Sequence, residues 1–178
     1  SLLYVADRFS HKIRTVATTG GVASKLSGDG NAASDDGLKA IASFHYPRAI
    51  VLNSDETVLY VAETHSHKIR SVDTASGTVT TLCGDGNIGS DDGACASASF
   101  NYPFGIAYFL DPISLSGFVY VSDLYNHKVR KIIVSSTPTA STLAGDGVAG
   151  SDDGAGSTAS LNQPTGLAVS NDGSKLYV

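Results

Sequence analysis

Several things that this chain has little of narrow its function before any motif is read. It has no tryptophan and no methionine, only two cysteines and five prolines, and aromatic residues make up 8%. Positive charge is also scarce, with 12 Lys and Arg against 17 Asp and Glu, a formal net charge of −5. A nucleic-acid-binding surface needs clustered Lys and Arg, so this balance argues against DNA or RNA and favours basic partners or cations. Long apolar runs are missing as well. Pieces such as Phe104–Leu110 are strand-length, well under the roughly 18 residues of a spanning helix, and no membrane span is expected. Ser1–Asp7 shows no basic region followed by an apolar one, so no secretory signal is read in this stretch, and the compartment stays open.

Two cysteines are too few for a disulfide scaffold. Cys83 stands where the matching segments have Ser27 and Ala144, and Cys95 where they have Lys39 and Gly156. They read as two incidental thiols, or as one local disulfide where the compartment is oxidising, and not as a metal site.

Against these absences stands a repeat. "LYVADRFSHKIRTV" from Leu3 returns as "LYVAETHSHKIRSV" from Leu59 and as "VYVSDLYNHKVRKI" from Val119, and begins again at Leu176. A second block follows each time ("KLSGDGNAASDDG", "TLCGDGNIGSDDG", "TLAGDGVAGSDDG"), and a third closes the unit ("ASFHYPRAIVL", "ASFNYPFGIAY", "ASLNQPTGLAV"). The repeats run over about 3–58, 59–118 and 119–175, with a fourth starting at 176. Within a unit, four β-prone runs are bounded by turn residues. In the second they are strand a, Arg48–Leu52; strand b, Val58–Ala62; strand c, Lys68–Val72; and strand d, Thr78–Leu82. Four short antiparallel strands per unit predict an all-β chain of propeller blades, and no helical periodicity competes.

The blocks at Tyr120–Arg130, Thr142–Gly145 and Asn162–Leu167 resemble the NHL-repeat family of β-propellers across essentially the whole chain. The Asn-His pair of that family stands at Asn126 and His127, replaced by Ser10-His11 and Ser66-His67 in the other copies. The resemblance implies a ring commonly of six blades, of which about half is present. Closure would then come from further blades or from a second copy in a homodimer. It also implies a non-catalytic role, recognition of a protein or peptide ligand across one face. Two other readings stand beside it: a metal-dependent propeller enzyme, hydrolase or lyase, and a purely structural part of a larger assembly.

In an up-and-down blade the d-to-a and b-to-c connections fall at the same end of the sheet, so the long loops share a face. The d-to-a link runs from about Gly84 to Tyr102, long enough to suggest function or internal structure. Its three copies carry nine aspartates: Asp29, Asp35, Asp36, Asp85, Asp91, Asp92, Asp146, Asp152 and Asp153. "GDGNIGSDDG" matches G-x-G-x-x-G, but no parallel βαβ unit surrounds it, and Ala33 replaces the third glycine in the first copy, so a dinucleotide is not expected. Clustered carboxylates make calcium a candidate, although EF-type spacing is absent. The simpler expectation is that the glycines turn the chain and that one aspartate of each pair caps a short helical turn.

His11, His67 and His127 recur at one position, as do Arg14, Arg70 and Arg130, and residues that every blade repeats are read as blade architecture. The histidines are expected to bond the b-to-c turn with Asp7, Glu63 or Asp123, a ring of them holding zinc being the alternative. The sequence holds none of the common nucleophile-elbow, phosphate-loop or zincin motifs, and no cofactor is expected beyond possible calcium. Loop positions that differ between copies are the candidates for partner contact: Arg8, Phe9, His45, Tyr46, Arg48, His65, Asn101, Tyr102, Phe104, Tyr125 and Gln163. They are rich in aromatic, histidine and arginine side chains. Packing around Pro47, Pro103 and Pro164 is the competing explanation. Phe109–Phe118 lengthens the second a-to-b hairpin, either as a tolerated insertion or as a contact on the opposite face.

Overall fold

A computed structural model describes residues 1–178. The first sheet joins β1 (Leu2–Asp7), β2 (Lys12–Ala17) and β3 (Ala23–Ser27), and the second joins β4 (Pro47–Leu52), β5 (Val58–Glu63), β6 (Lys68–Asp73) and β7 (Val79–Cys83). After the short β8 (Gly93–Ala94) comes a third sheet of β9 (Pro103–Leu110), β10 (Gly117–Asp123), β11 (Lys128–Val134) and β12 (Thr139–Ala144). A final hairpin pairs β13 (Ala168–Val169) with β14 (Leu176–Tyr177). All these pairings are antiparallel, and apart from β8, which pairs with β12, sheet neighbours follow chain order. The architecture is a partial β-propeller of four-stranded blades, and the strands expected in the second repeat lie within a residue or so of their observed bounds.

β5 shows why an uninterrupted apolar run reads as a strand here. Leu59 and Val61 pack with Ile13, Phe44, Val72 and Val79, between the first and second sheets. Tyr60 and Ala62 pack with Ile69, Phe100, Val119 and Ile132, between the second and third. Side chains alternate faces along a strand, so a blade with a neighbour on each side must be apolar at both parities.

The b-to-c connections are single 3₁₀ turns, Arg8–Ser10, Thr64–Ser66 and Leu124–Asn126, each closed by a histidine in the left-handed conformation, His11, His67 and His127, with φ of 55° in all three. The c-to-d pairing slips register at Ile13/Arg14, Ile69/Arg70 and Val129/Arg130. The extra residue falls on strand d each time, at Leu26, Leu82 and Leu143, a bulge opposite each recurring arginine.

The long loops serve the following blade. β8 adds to the outer strand β12 of the third sheet, and Gly37 bridges Val79 of the second. Arg70 reaches back to the first loop, its Nη2 donating to Asp35 O at 3.0 Å and to Asp36 Oδ1 at 2.6 Å. Arg130 does the same with the second loop, at 2.8 Å to Asp91 O and 2.7 Å to Asp92 Oδ1. Their Nη1 groups pair within their own blade with Glu63 and Asp123, all four side chains being fully buried.

This corrects the capping expectation. Asp35, Asp91 and Asp152 take part in bonds to Ser43, Ser99 and Ser160, while Asp36 and Asp92 hold the next blade's arginine. The helical turn beside the second pair closes on itself, Ser97 and Ala98 N–H donating to Ala94 O. Asp29, Asp85 and Asp146 each accept a backbone N–H two residues on, from Asn31, Asn87 and Val148 at 2.8 Å, in tight Asx turns.

Cys83 and Cys95 form a disulfide, the local bond that the sequence left open, tying the end of β7 to the loop beyond β8. The Phe109–Phe118 segment ends β9 and begins β10 around a turn over 111–116, in which Asp111 accepts bonds from Ile113 N–H and the Ser114 hydroxyl. Among the chain's helices none is long and apolar enough to cross a membrane.

Candidate functional site on the long-loop face

The start of strand a and the preceding b-to-c turn meet at one end of the sheets. Thr64 and His65 N–H donate to Tyr46 and His45 O, and Leu124 and Tyr125 N–H donate to Tyr102 and Asn101 O. Between repeats, the histidine Nδ1 accepts from the next strand's start: His11 from Tyr46 N–H at 3.3 Å, His67 from Tyr102 N–H at 3.2 Å, and His127 from Gln163 N–H at 3.1 Å. The donors are thus in the next blade, whereas the expectation placed these histidines with the acidic residue of their own turn. Glu63 and Asp123 instead take His45 N–H and Asn101 N–H, at 2.6 and 2.7 Å. Tyr46, Tyr102 and Gln163 also hold positive φ, between 50° and 59°.

This lattice sets the predicted contact residues in a row. Phe9 meets Tyr46 edge-on at 5.7 Å, Tyr46 meets His65 at 4.3 Å, His65 meets Tyr102 at 5.1 Å, and Tyr102 meets Tyr125 at 4.9 Å. His45 lies 5.2 Å from His65, and Arg8 sits over both Phe9 and Tyr46 at 5.0 and 5.2 Å. The ends of the row are open, Phe9 being 75% and Tyr125 47% exposed. Arg48 and Phe104 lie apart from it, stacked at 3.5 Å at the starts of β4 and β9. Asn101 takes part through its backbone, and Gln163 is exposed beyond the row. The row also includes His11 and His67, at 4.9 and 5.1 Å from Tyr46 and Tyr102, which their recurrence had assigned to architecture alone.

The nine loop aspartates do not converge. No three His, Cys, Asp or Glu side chains lie close enough to share a cation, and in the first two loops Asx turns, serines and arginines take up the carboxylates locally.

Burial, then the charges of His65 and His45, hold the His67 imidazole below the usual histidine range, and burial, then the charges of His45, Arg8 and His11, lower His65. The neutral ring is the one that accepts from Tyr102 N–H. A lowered folded-state value means that the unfolded chain binds more protons below pH about 6.5, so stability is complete above that pH and falls as pH drops through the folded value. Thermal melts at pH 7.5 and pH 5 are expected to show a lower midpoint in acid, and His67→Gln is expected to flatten the difference. Equal acid sensitivity in that variant would assign the effect elsewhere.

No family model matches the chain. It is 31% identical over 185 residues to SUPPRESSOR OF QUENCHING 1, a chloroplastic protein of Arabidopsis thaliana, covering 99% of this chain and 17% of that protein. It is 33% identical over 152 residues to NHL repeat-containing protein 2 of Bos taurus, covering 80% and 20%. The chain thus spans a fifth or less of the length of these relatives. An auxiliary nutrient binding protein of Bacteroides thetaiotaomicron, 22% identical, superposes with a TM-score of 0.72 over 94% of this chain and 40% of that one, which shows the fold. Repeats, blades and relatives agree, and the chain belongs to the NHL-repeat family of β-propellers.

Proposed function

We propose that the chain is a non-catalytic binding or scaffolding propeller that recognises a protein or peptide ligand through its long-loop face. The observation that carries this is the continuous aromatic and histidine row from Phe9 to Tyr125. Aromatic side chains bring contact area with few torsions to freeze, which suits an exposed recognition strip. Every residue of the row belongs to a loop position that varies among the repeats, except the two histidines that hold its tyrosines in place. A solved structure with this fold is named for binding a nutrient, which is compatible with recognition by such a scaffold.

The ring would be completed by further blades or by a second copy. Arg14 supports this: it pairs only with Asp7, at 3.3 Å and 40% exposed, and lacks the loop aspartate that reaches Arg70 and Arg130.

A photo-crosslinking side chain placed at Phe9 or Tyr125 tests the face, with Ile113 on the opposite face as control, in extract of the cells that make the protein. Discrete adducts from Phe9 and Tyr125 that excess unlabelled protein removes are expected. The same adducts from Ile113, or none from the row, would overturn the assignment.

A further inference from the structure

At the start of strand a the repeats enclose a pocket of about 400 Å³, lined by Arg8, Arg48, Phe104 and Thr165 over Ala49 and Gly105. Neighbouring first strands run side by side here. Ser122 Oγ, which accepts from Gly105 N–H at 2.6 Å, donates to Thr165 O at 2.7 Å. A Cβ on Gly105 would overlap Thr165 O, so the floor is closed by backbone.

Neither arginine has a carboxylate partner. The chain's other three are each paired with a carboxylate, Arg14 with Asp7, Arg70 with Glu63 and Asp36, and Arg130 with Asp123 and Asp92. Arg8 Nε is buried without any acceptor, as are the Nε atoms of Arg70 and Arg130, but only Arg8 among these three also lacks a carboxylate on its terminal nitrogens. Burial, and then the charge of Arg8, push the Arg48 guanidinium below its ordinary range. In a chain with five more acidic than basic side chains, two like charges share one cavity that no carboxylate enters.

Blade architecture does not require either residue. Position 8 is matched by Thr64, which bonds Pro103 O, and by the buried Leu124; position 48 is matched by Phe104 and Thr165. The Arg48 guanidinium carbon sits over the Phe104 ring, 3.5 Å from its centroid, which leaves the guanidinium N–H groups without a carboxylate.

We propose that this pocket binds a small oxyanion, the carboxylate or phosphate group of a soluble ligand, between Arg8 and Arg48. A planar fork meets either group with two parallel N–H···O bonds, and the anion would neutralise the pair and supply the acceptor that Arg8 Nε lacks. The Phe104 face and Thr165 hydroxyl then border whatever the anion is attached to. This rests on the reading of the long-loop face as a recognition surface and adds the chemistry of its ligand.

The test titrates the ¹⁵N-labelled protein with inorganic phosphate and with succinate, against chloride at equal ionic strength, following arginine Nε–H signals and heat. Saturable binding of at least one anion is expected, with the Arg8 and Arg48 signals moving. Arg8→Gln and Arg48→Gln should each weaken it about tenfold or more, while Lys175→Gln leaves it unchanged. Which anion binds identifies the source of the group. Arg48→Lys keeps the charge, and its weaker binding at an unchanged melting temperature would separate the fork from folding. Absence of saturable binding, or movement of other arginines only, would overturn the pocket even where cross-links from Tyr125 persist. Oxyanion binding without those cross-links would retain the pocket and remove the protein-recognition reading.

Discussion

Arg130→Met is expected to destabilise the chain by about 3–5 kcal/mol, because it strands Asp123 in the interior. Asp123 is fully buried, and its carboxylate accepts Asn101 N–H, Asn126 Nδ2 and Arg130 Nη1. Methionine keeps much of the arginine stem's packing against Phe100 but removes the only cation. Burial already holds Asp123 above the ordinary carboxylate range, against those bonds. Without Arg130 its folded value rises further. A raised carboxyl value means that the folded state binds more protons than the unfolded one, so stability is greatest below the unfolded value near 3.9 and is lost as pH rises through the folded value. The variant's deficit in urea titrations should therefore be larger at pH 7 than at pH 4.5. A deficit that is flat with pH would mean that Asp123 stays compensated.

Replacing both Cys83 and Cys95 with alanine is expected to cost about 2–3 kcal/mol, the chain-entropy value for a loop of 12 residues. Both sulfurs are buried among Ile69, Ala98 and Phe100, so the alanines also leave a small cavity. The loss should appear chiefly at the junction of the second and third blades. The same loop positions Asp91 and Asp92 against Arg130 and lays β8 along β12. Hydrogen exchange should report faster opening of Thr139 and Ala140 in the variant than of Val79 in the preceding blade. Uniform loosening across all blades would show that the bond acts on the unfolded chain alone.

The blades were legible because burial on both faces writes an unbroken apolar run such as Leu59–Ala62, and because the run returns with its turns at a constant interval. The role of the aspartate pairs was not. Asp36 meets its partner 34 residues later, and Asp92 meets its own 38 later, across a loop whose path no local pattern encodes. The disulfide stayed one of two readings, since Ser27 and Ala144 occupy the position of Cys83 with no covalent bond. Of the candidate contact residues, those with rings could be selected by their variation between copies. Recurrence marked His11 and His67 as blade architecture, and they build the blade contacts while also standing in the aromatic row. The unpaired state of Arg8 and Arg48 became visible only once every carboxylate had a position.

The loop's allegiance to the following sheet sets where the chain can be divided. A segment cut at the borders of a sheet, such as 103–144, carries Asp123 and Arg130 but leaves Asp91 and Asp92 behind. One cut just after the preceding outer strand, 84–144, carries all four charged partners together, at the expense of the bond from Cys95 to Cys83. The module that duplication or grafting would have to move intact is therefore a loop followed by its sheet, and two such modules join where the second loop packs Ala98 and Phe100 against Tyr60, Ala62 and Ile69 of the preceding sheet.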